Sequence, residues 1–210
     1  MSEYGRYVLL AMTMVVNGGA QRKETGMMVD VSLEKSAQAR GVLVLRSHFP
    51  VPATSMKFVA SEMFVVDTDP NTRVRISEMC PMFVEGFLGK VEPPLPGGRL
   101  YVHMVKDYPV EVMAEPEWPL IELGGEACAE SFLSDLYNAL ATQGGIGCLS
   151  MVGDGNIFFI RNVHGILCQV RADWSRGGWR LVALSAYDPR LWTDHDRFII
   201  RDPAVSPASA

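Results

Sequence analysis

Short apolar runs separated by turn-forming residues dominate the C-terminal part of the chain. The runs are Ile146–Val152, Ile157–Arg161, Ile166–Arg171 and Trp179–Leu184. Glycine, asparagine and aspartate fill the gaps between them, and these residues favour tight turns. The pattern predicts four strands in an antiparallel meander. The apolar residues 198–200 predict a last strand at the edge of this sheet.

One longer segment has the spacing of an amphipathic helix. Between residues 125 and 142, apolar side chains recur at steps of three and four residues, and polar ones take the other side. The apolar positions are Cys128, Phe132, Leu133, Leu136, Tyr137 and Leu140, and the polar ones are Glu126, Glu130, Ser134 and Asp135. Gln143-Gly144-Gly145 supplies a helix end. We therefore expect one long helix, at about 125–142, packed on the meander.

The N-terminal half carries shorter strand signals. Tyr7–Val16 and Met27–Leu33 are apolar runs joined by a polar loop, which predicts two strands. Met63–Val66 and Val74–Ile76 flank the polar stretch Asp67–Asn71, which predicts a hairpin. Together with the meander, these strands and the helix predict an α+β protein that is mostly antiparallel β.

The proline-rich stretch Val91–Gly98 is the one candidate domain boundary, because adjacent prolines favour an extended linker or a rigid exposed loop. A division there gives a β-rich N-terminal lobe (1–92) and an α+β lobe with the helix and the meander (99–202). Residues 203–210 would form a flexible tail. A chain of 210 residues also fits a single domain.

The middle of the chain is strongly acidic. Between Asp107 and Ile160 there are nine carboxylates and no lysine, arginine or histidine. We call these nine the acidic centre: Asp107, Glu111, Glu115, Glu117, Glu122, Glu126, Glu130, Asp135 and Asp154. Since the whole chain has a net charge of −5, this segment accounts for the excess. Such a surface repels polyanions and raises the encounter rate with basic partners.

No motif with an attached reaction is present. The chain lacks GxxxxGK[ST], a GxGxxG that follows a strand, HExxH and GxSxG, and it resembles no family that we recognise. We therefore expect a non-enzymatic protein-binding protein, such as an adaptor, an inhibitor or an assembly subunit. Its acidic centre would engage a basic partner, or the chain would self-associate. The expected binding residues are Glu111, Glu115, Glu117 and Trp118, where carboxylates crowd around a tryptophan, a common interface anchor.

A small Cys/His hydrolase is the first alternative. A catalytic thiolate needs a stabilising charge or helix N-terminus and a histidine within reach. Cys148 follows a glycine-rich stretch, His164 falls in the next predicted hairpin turn, and His195 lies between two aspartates. These three are the candidate catalytic residues. Cys148, however, falls in a predicted strand, where a buried structural thiol is typical.

A nucleic-acid contact is the second alternative. The C-terminal arginines and tryptophans are Arg161, Arg171, Arg176, Arg180, Arg190, Arg197, Arg201, Trp174, Trp179 and Trp192. This composition is typical of surfaces that stack bases and bind phosphates. The competing interpretation is that the arginines pair with the acidic helix and stack on the tryptophans. Since the chain is acidic overall, we favour that pairing and expect no nucleic-acid partner.

No metal ion and no cofactor is expected. A hard cation needs several oxygens that converge on one point, and the carboxylates of the acidic centre are spread along the sequence. The two Asp-x-Asp stretches, Asp67-Thr68-Asp69 and Asp194-His195-Asp196, are more typical of turns whose side chains cap their own backbone.

The cysteines predict a reducing environment. Cys80, Cys128, Cys148 and Cys168 are well separated and form no CxxC pair, which favours free thiols. The apolar run Tyr7–Val16 is too short to span a bilayer. We therefore expect a cytoplasmic protein without a membrane partner. The hydrophobic content of 48% is high enough to include an oligomer interface.

Overall fold

A computed structural model of the chain describes residues 42–106, 119–120, 123–142, 149–152, 155–188, 193 and 195–202. The strands are β1 (Val42–Val51), β2 (Phe58–Val59), β3 (Ile76–Met79), β4 (Val91–Glu92), β5 (Gly98–Lys106), β6 (Glu130–Ser131), β7 (Asn156–Arg161), β8 (Leu167–Ser175), β9 (Gly178–Ser185) and β10 (Arg197–Arg201). The helices are α1 (Ala60–Met63), α2 (Pro81–Phe87), α3 (Glu126–Ala129) and α4 (Leu133–Ala141). The strands predicted before residue 42 and the tail 203–210 lie outside the described residues.

Eight strands form one mixed sheet. Its order is β1-β5-β10-β7-β8-β9-β3, and β6 pairs with β7 beside β10. The pairs β10–β7, β6–β7 and β3–β9 are parallel, and the other neighbours are antiparallel. β2 and β4 form a separate two-stranded sheet. The described protein is therefore mostly β, and strands from both sides of Val91–Gly98 lie in the main sheet.

The predicted meander is confirmed for β7, β8 and β9, which pair antiparallel in chain order. Arg176 and Gly177, between β8 and β9, have φ angles of 51° and 80°. Two successive positive φ angles are typical of the tight hairpin turn whose twist matches that of the strands. The first run of the predicted meander, 146–152, is not a strand where the structure describes it, at residues 149–152.

The last strand is central rather than at the edge of the sheet. β10 lies between β5, with which it is antiparallel, and β7, with which it is parallel. Its core residues Phe198 and Ile199 are fully buried. A parallel neighbour has to come from a distant part of the chain, so local turn signals could not predict this position.

The prediction of one long helix at 125–142 is wrong. α3 is a single turn that ends at Ala129, Glu130–Ser131 pairs in parallel with Phe159–Ile160 of β7, and α4 begins at Leu133. β10 pairs only with Asn156–Phe158 of β7, so the rest of that edge of β7 is open. β6 occupies it, because backbone N–H and C=O groups in a protein interior need partners.

α4 is the longest described helix, with nine residues. Nowhere in the described ranges is there a helix with the length and apolar character that crossing a membrane requires. Leu133, Leu136 and Leu140 are fully buried, as the spacing predicted, but Ser134 and Asp135 are buried as well. The solvent-facing side predicted for these two residues is therefore wrong.

The main sheet separates two hydrophobic cores. Alternate residues of β7 face opposite sides, so that Phe158 and Ile160 join one cluster, whereas Ile157 and Phe159 join the other. The first cluster also contains buried residues of α1, α2 and α4. The second cluster also contains Leu120, Leu123 and Ala129. Both faces of the sheet are thus buried around β7, the strand that leads to the candidate site.

The Val91–Gly98 stretch is held against the rest of the protein, with Glu92 and Leu95 buried and its three prolines exposed. Leu95 is buried, and its backbone N–H donates a hydrogen bond of 2.6 Å to the Thr54 hydroxyl. The Pro96 carbonyl accepts a hydrogen bond from Arg201 of β10. These contacts tie the proline-rich stretch to the sheet.

Candidate binding surface

The β7–β8 hairpin ends in a turn that its own side chains organise. The Asn162 Oδ1 atom accepts hydrogen bonds from the backbone N–H groups of His164, at 2.9 Å, and Ile166, at 3.0 Å. Gly165 has a φ of 75°, a conformation that favours glycine. Asn162 and Gly165 therefore fix the turn, and they leave the side chains around it in solvent.

Arg161, the last residue of β7, contacts three hydrogen-bond acceptors at this end of the sheet. Its Nη2 and Nε atoms lie 3.0 Å from Glu126 and 3.1 Å from Glu130, respectively. Its Nη1 atom donates to the Gly165 carbonyl at 3.0 Å. The second carboxylate oxygen of Glu126 accepts a hydrogen bond from the Tyr187 hydroxyl. This hydrogen bond, followed by that from Arg161, lowers the pKa of Glu126.

The network stays open to solvent and lies beside apolar side chains. Ile166 is 60% exposed and Tyr187 is 43% exposed, while Arg161 and the two glutamates are partly exposed. We call Glu126, Glu130, Arg161, Ile166 and Tyr187 the hairpin surface. With two carboxylates and one guanidinium, it keeps one net negative charge. It therefore combines an exposed aliphatic side chain, an aromatic ring and a partly compensated acidic pair.

Most residues predicted to act in the site fall in stretches that the structure does not describe. Glu111, Glu115, Glu117, Trp118 and Cys148 lie outside the described residues. They remain predictions.

The two candidate histidines lie at opposite ends of β7. His164 is exposed in the turn that follows the strand. His195 is exposed beside Asp196, whose carboxylate accepts a hydrogen bond from the Gly155 N–H just before the strand begins. β7 has six residues, so its two ends are about 20 Å apart at 3.3 Å per residue. The structure therefore does not bring these two side chains together.

Every carboxylate of the acidic centre that the structure describes is paired with an arginine. Glu126 and Glu130 bind Arg161, and Asp135 binds Arg201 at 2.5 Å. The other six members of the centre lie outside the described residues. The predicted pairing between C-terminal arginines and acidic residues is confirmed for these three carboxylates.

Two more C-terminal arginines form ion pairs along the sheet. Arg171 binds Asp173 at 2.9 Å and the buried Asp196 at 3.3 Å, and Arg180 binds Asp173 at 3.0 Å. The sequence predicted that C-terminal arginines stack on the tryptophans. The arginine that stacks on Trp174 is instead Arg75, from the N-terminal half of the chain, whose guanidinium carbon lies 4.9 Å from the ring centre. These contacts compensate much of the positive charge that suggested a nucleic-acid surface.

Cys80, Cys168 and Asp67 have structural roles. Cys168 is buried, which raises the pKa of its thiol, and the Cys80 sulfur accepts hydrogen bonds from the N–H groups of Phe83 and Ala183, both at 3.3 Å. Asp67 accepts a hydrogen bond from the Asp69 N–H at 2.9 Å, as expected for a turn that caps its own backbone. Across the described ranges, no three His, Cys, Asp or Glu residues cluster closely enough to hold a metal ion.

One buried polar cluster was not predicted from the sequence. Asp135 and Arg201 pair in the interior, and both carboxylate oxygens of Glu92 accept backbone N–H groups of α4, from Leu133 at 2.8 Å and Ser134 at 2.9 Å. Glu92 therefore caps the N-terminus of α4, where the helix dipole favours an anion. The cluster joins β4, α4 and β10 in the core and is closed to solvent, so we assign it a structural role.

We expect Asp135 to give stability a distinctive pH dependence. Burial raises its pKa from 3.8 to about 6, against the opposing effect of Arg201. Between these values the folded state holds a proton that the unfolded state has lost, so the contribution of Asp135 to the free energy of unfolding falls as pH rises from about 4 to 6. We expect the free energy of unfolding of the wild type, relative to that of Asp135→Asn, to fall by up to about 3 kcal/mol over this pH range. Urea denaturation of both proteins at several pH values measures this change. A wild type that becomes more stable relative to Asp135→Asn as pH rises would contradict the assignment.

Comparisons of the chain with protein families, with curated proteins and with solved structures give no match.

Proposed function

We propose that this chain is a non-enzymatic protein-binding protein, an adaptor, inhibitor or assembly subunit, whose acidic centre engages a basic surface of a partner or of a second copy. The observation that carries the proposal is the hairpin surface. There Glu126 and Glu130, two members of the acidic centre, are partly exposed beside the exposed side chains of Ile166 and Tyr187.

This combination suits a protein interface. Aromatic side chains are enriched at interface cores, and charged groups at the rim steer association and set its specificity. Tyr187 can bury its ring while its hydroxyl keeps the hydrogen bond to Glu126, so docking would leave no polar atom of that pair unsatisfied. Glu111, Glu115, Glu117 and Trp118 are proposed to extend the same interface, with Trp118 as its anchor.

The proposal places the protein in the cytoplasm. Cys80, Cys128 and Cys168 are all free thiols, and free thiols persist in reducing compartments. Cys80 and Cys168 each contribute to the packing around the sheet.

Capture of partners from the native source tests the proposal with two independent variants. Ile166→Asp places a charge in the hairpin surface, and the triple variant Glu111→Gln/Glu115→Gln/Glu117→Gln removes the predicted acidic rim. We expect both to lose the same partners, with wild-type capture weakening as salt rises. For a purified partner, the triple variant should slow association, whereas Ile166→Asp should mainly speed dissociation.

Val152→Asp is the matched control. Val152 is 82% exposed and precedes β7, at the end of the strand opposite to Ile166, so this variant adds the same charge far from the hairpin surface. It should keep the wild-type partners. An unchanged partner set for both test variants, or equal losses in the control, would contradict the proposed interface.

A further inference from the structure

A cleft of about 180 Å³ opens between the end of β1 and the last turn of α4. Its lining residues are Phe49, Pro50, Val51, Pro52, Arg73, Asn138, Ala141 and Thr142. The cleft is smaller than the roughly 300–1,000 Å³ typical of sites for drug-sized ligands. It therefore suits a small molecule or the end of a chain.

The cleft has an apolar floor and a polar rim. Phe49 and Val51 are buried members of the main core, whereas Arg73 is exposed. The Arg73 guanidinium lies 5.8 Å from the centre of the Tyr137 ring, which holds it over α4. A guanidinium has five N–H donors in a fork that matches a carboxylate, enough to bind an anion while other contacts persist.

The helix end that borders the cleft is partly capped by Thr142. The carbonyls at a helix C-terminus carry partial negative charge. Here the Thr142 N–H donates to the carbonyls of Ala139 and Leu140, and the Thr142 hydroxyl donates to the Ala139 carbonyl at 2.7 Å. These bonds satisfy two of the carbonyls in the last turn of α4. Asn138 adds a polar side chain to the lining.

We propose that this cleft binds a carboxylate carried on a compact apolar group. The carboxylate pairs with Arg73 and the amide of Asn138, and the apolar group lies on Phe49, Val51 and Ala141. This assignment is independent of the hairpin surface and of the proposed partner.

Two sources share this chemistry, a free branched-chain carboxylic acid and the C-terminal residue of a peptide. Titration of the whole protein by NMR with 4-methylpentanoate and with N-acetyl-leucine separates them. Saturable binding of either compound supports the site. Tighter binding of N-acetyl-leucine identifies a peptide end as the ligand, and binding of 4-methylpentanoate alone identifies a free acid.

Variants and an uncharged analogue test the two halves of the site. Arg73→Gln and replacement of the acid by 4-methylpentan-1-ol should each weaken binding by about tenfold or more, the effect of losing a charged hydrogen bond. Ala141→Leu, which fills the cleft with a good helix former, should abolish binding.

Arg46→Gln is the matched control, because Arg46 is exposed on β1 and does not line the cleft. It should leave affinity unchanged. The proposal is overturned if neither compound binds saturably, if Ala141→Leu binds as the wild type does, or if Arg46→Gln and Arg73→Gln weaken binding equally.

Discussion

Replacement of Arg201 by methionine should lower the free energy of unfolding by about 3 to 5 kcal/mol, the range for breaking a buried ion pair. Arg201 lies 2.5 Å from Asp135, and both side chains are almost fully buried. Methionine roughly fills the volume but leaves the Asp135 carboxylate without its counter-charge. It also removes the donor to the Pro96 carbonyl. Urea denaturation at neutral pH measures this loss.

Two further variants identify the cause of the loss. Arg161→Met makes the same substitution in the partly exposed hairpin surface, where each ion pair is worth at most about 1 kcal/mol, so it should cost far less. Arg201→Met/Asp135→Asn removes both charges and should recover part of the stability lost in the single variant. If the double variant is no more stable than Arg201→Met, lost packing rather than the unpaired carboxylate is responsible.

The meander was predictable because local residues determine its turns. The Arg176-Gly177 turn brings together the strands on either side of it, and Asn162 closes the preceding turn with its own side chain. Both turns follow from residues within a few positions in the sequence.

The break in the predicted helix has a distant cause. The 125–142 segment keeps helical spacing throughout, yet Glu130–Ser131 forms a strand because the open edge of β7 provides backbone partners. The Ser131 hydroxyl also donates to the Ile199 carbonyl of β10 at 3.2 Å. These partners are about 30 to 70 residues away in sequence, as the register of these contacts shows. Periodicity within the segment carries no information about them.

The charge pattern predicted part of the candidate site. The acidic centre and the C-terminal arginines were visible as two opposite clusters, and their pairing follows from elementary electrostatics. The sequence did not show which pairs would be buried. Asp135 shares a helix face with apolar residues in the structure, and its arginine partner lies at the far end of the chain.

Leu136→Ala should lower the free energy of unfolding by about 2 to 5 kcal/mol, the usual cost of truncating a leucine in a packed core. Leu136 has 0% exposure and belongs to the main core cluster. Alanine favours the helix, so the loss reports on packing and not on the backbone. Chemical denaturation at neutral pH measures it.

Leu45→Ala is the matched control, because Leu45 on β1 is 49% exposed and loses the same atoms. It should cost less than about 1 kcal/mol, since part of its surface already contacts water. The difference between the two variants therefore isolates the burial of α4 against the sheet. A loss below about 0.5 kcal/mol for Leu136→Ala, or equal losses for both leucines, would mean that α4 does not pack as the structure shows.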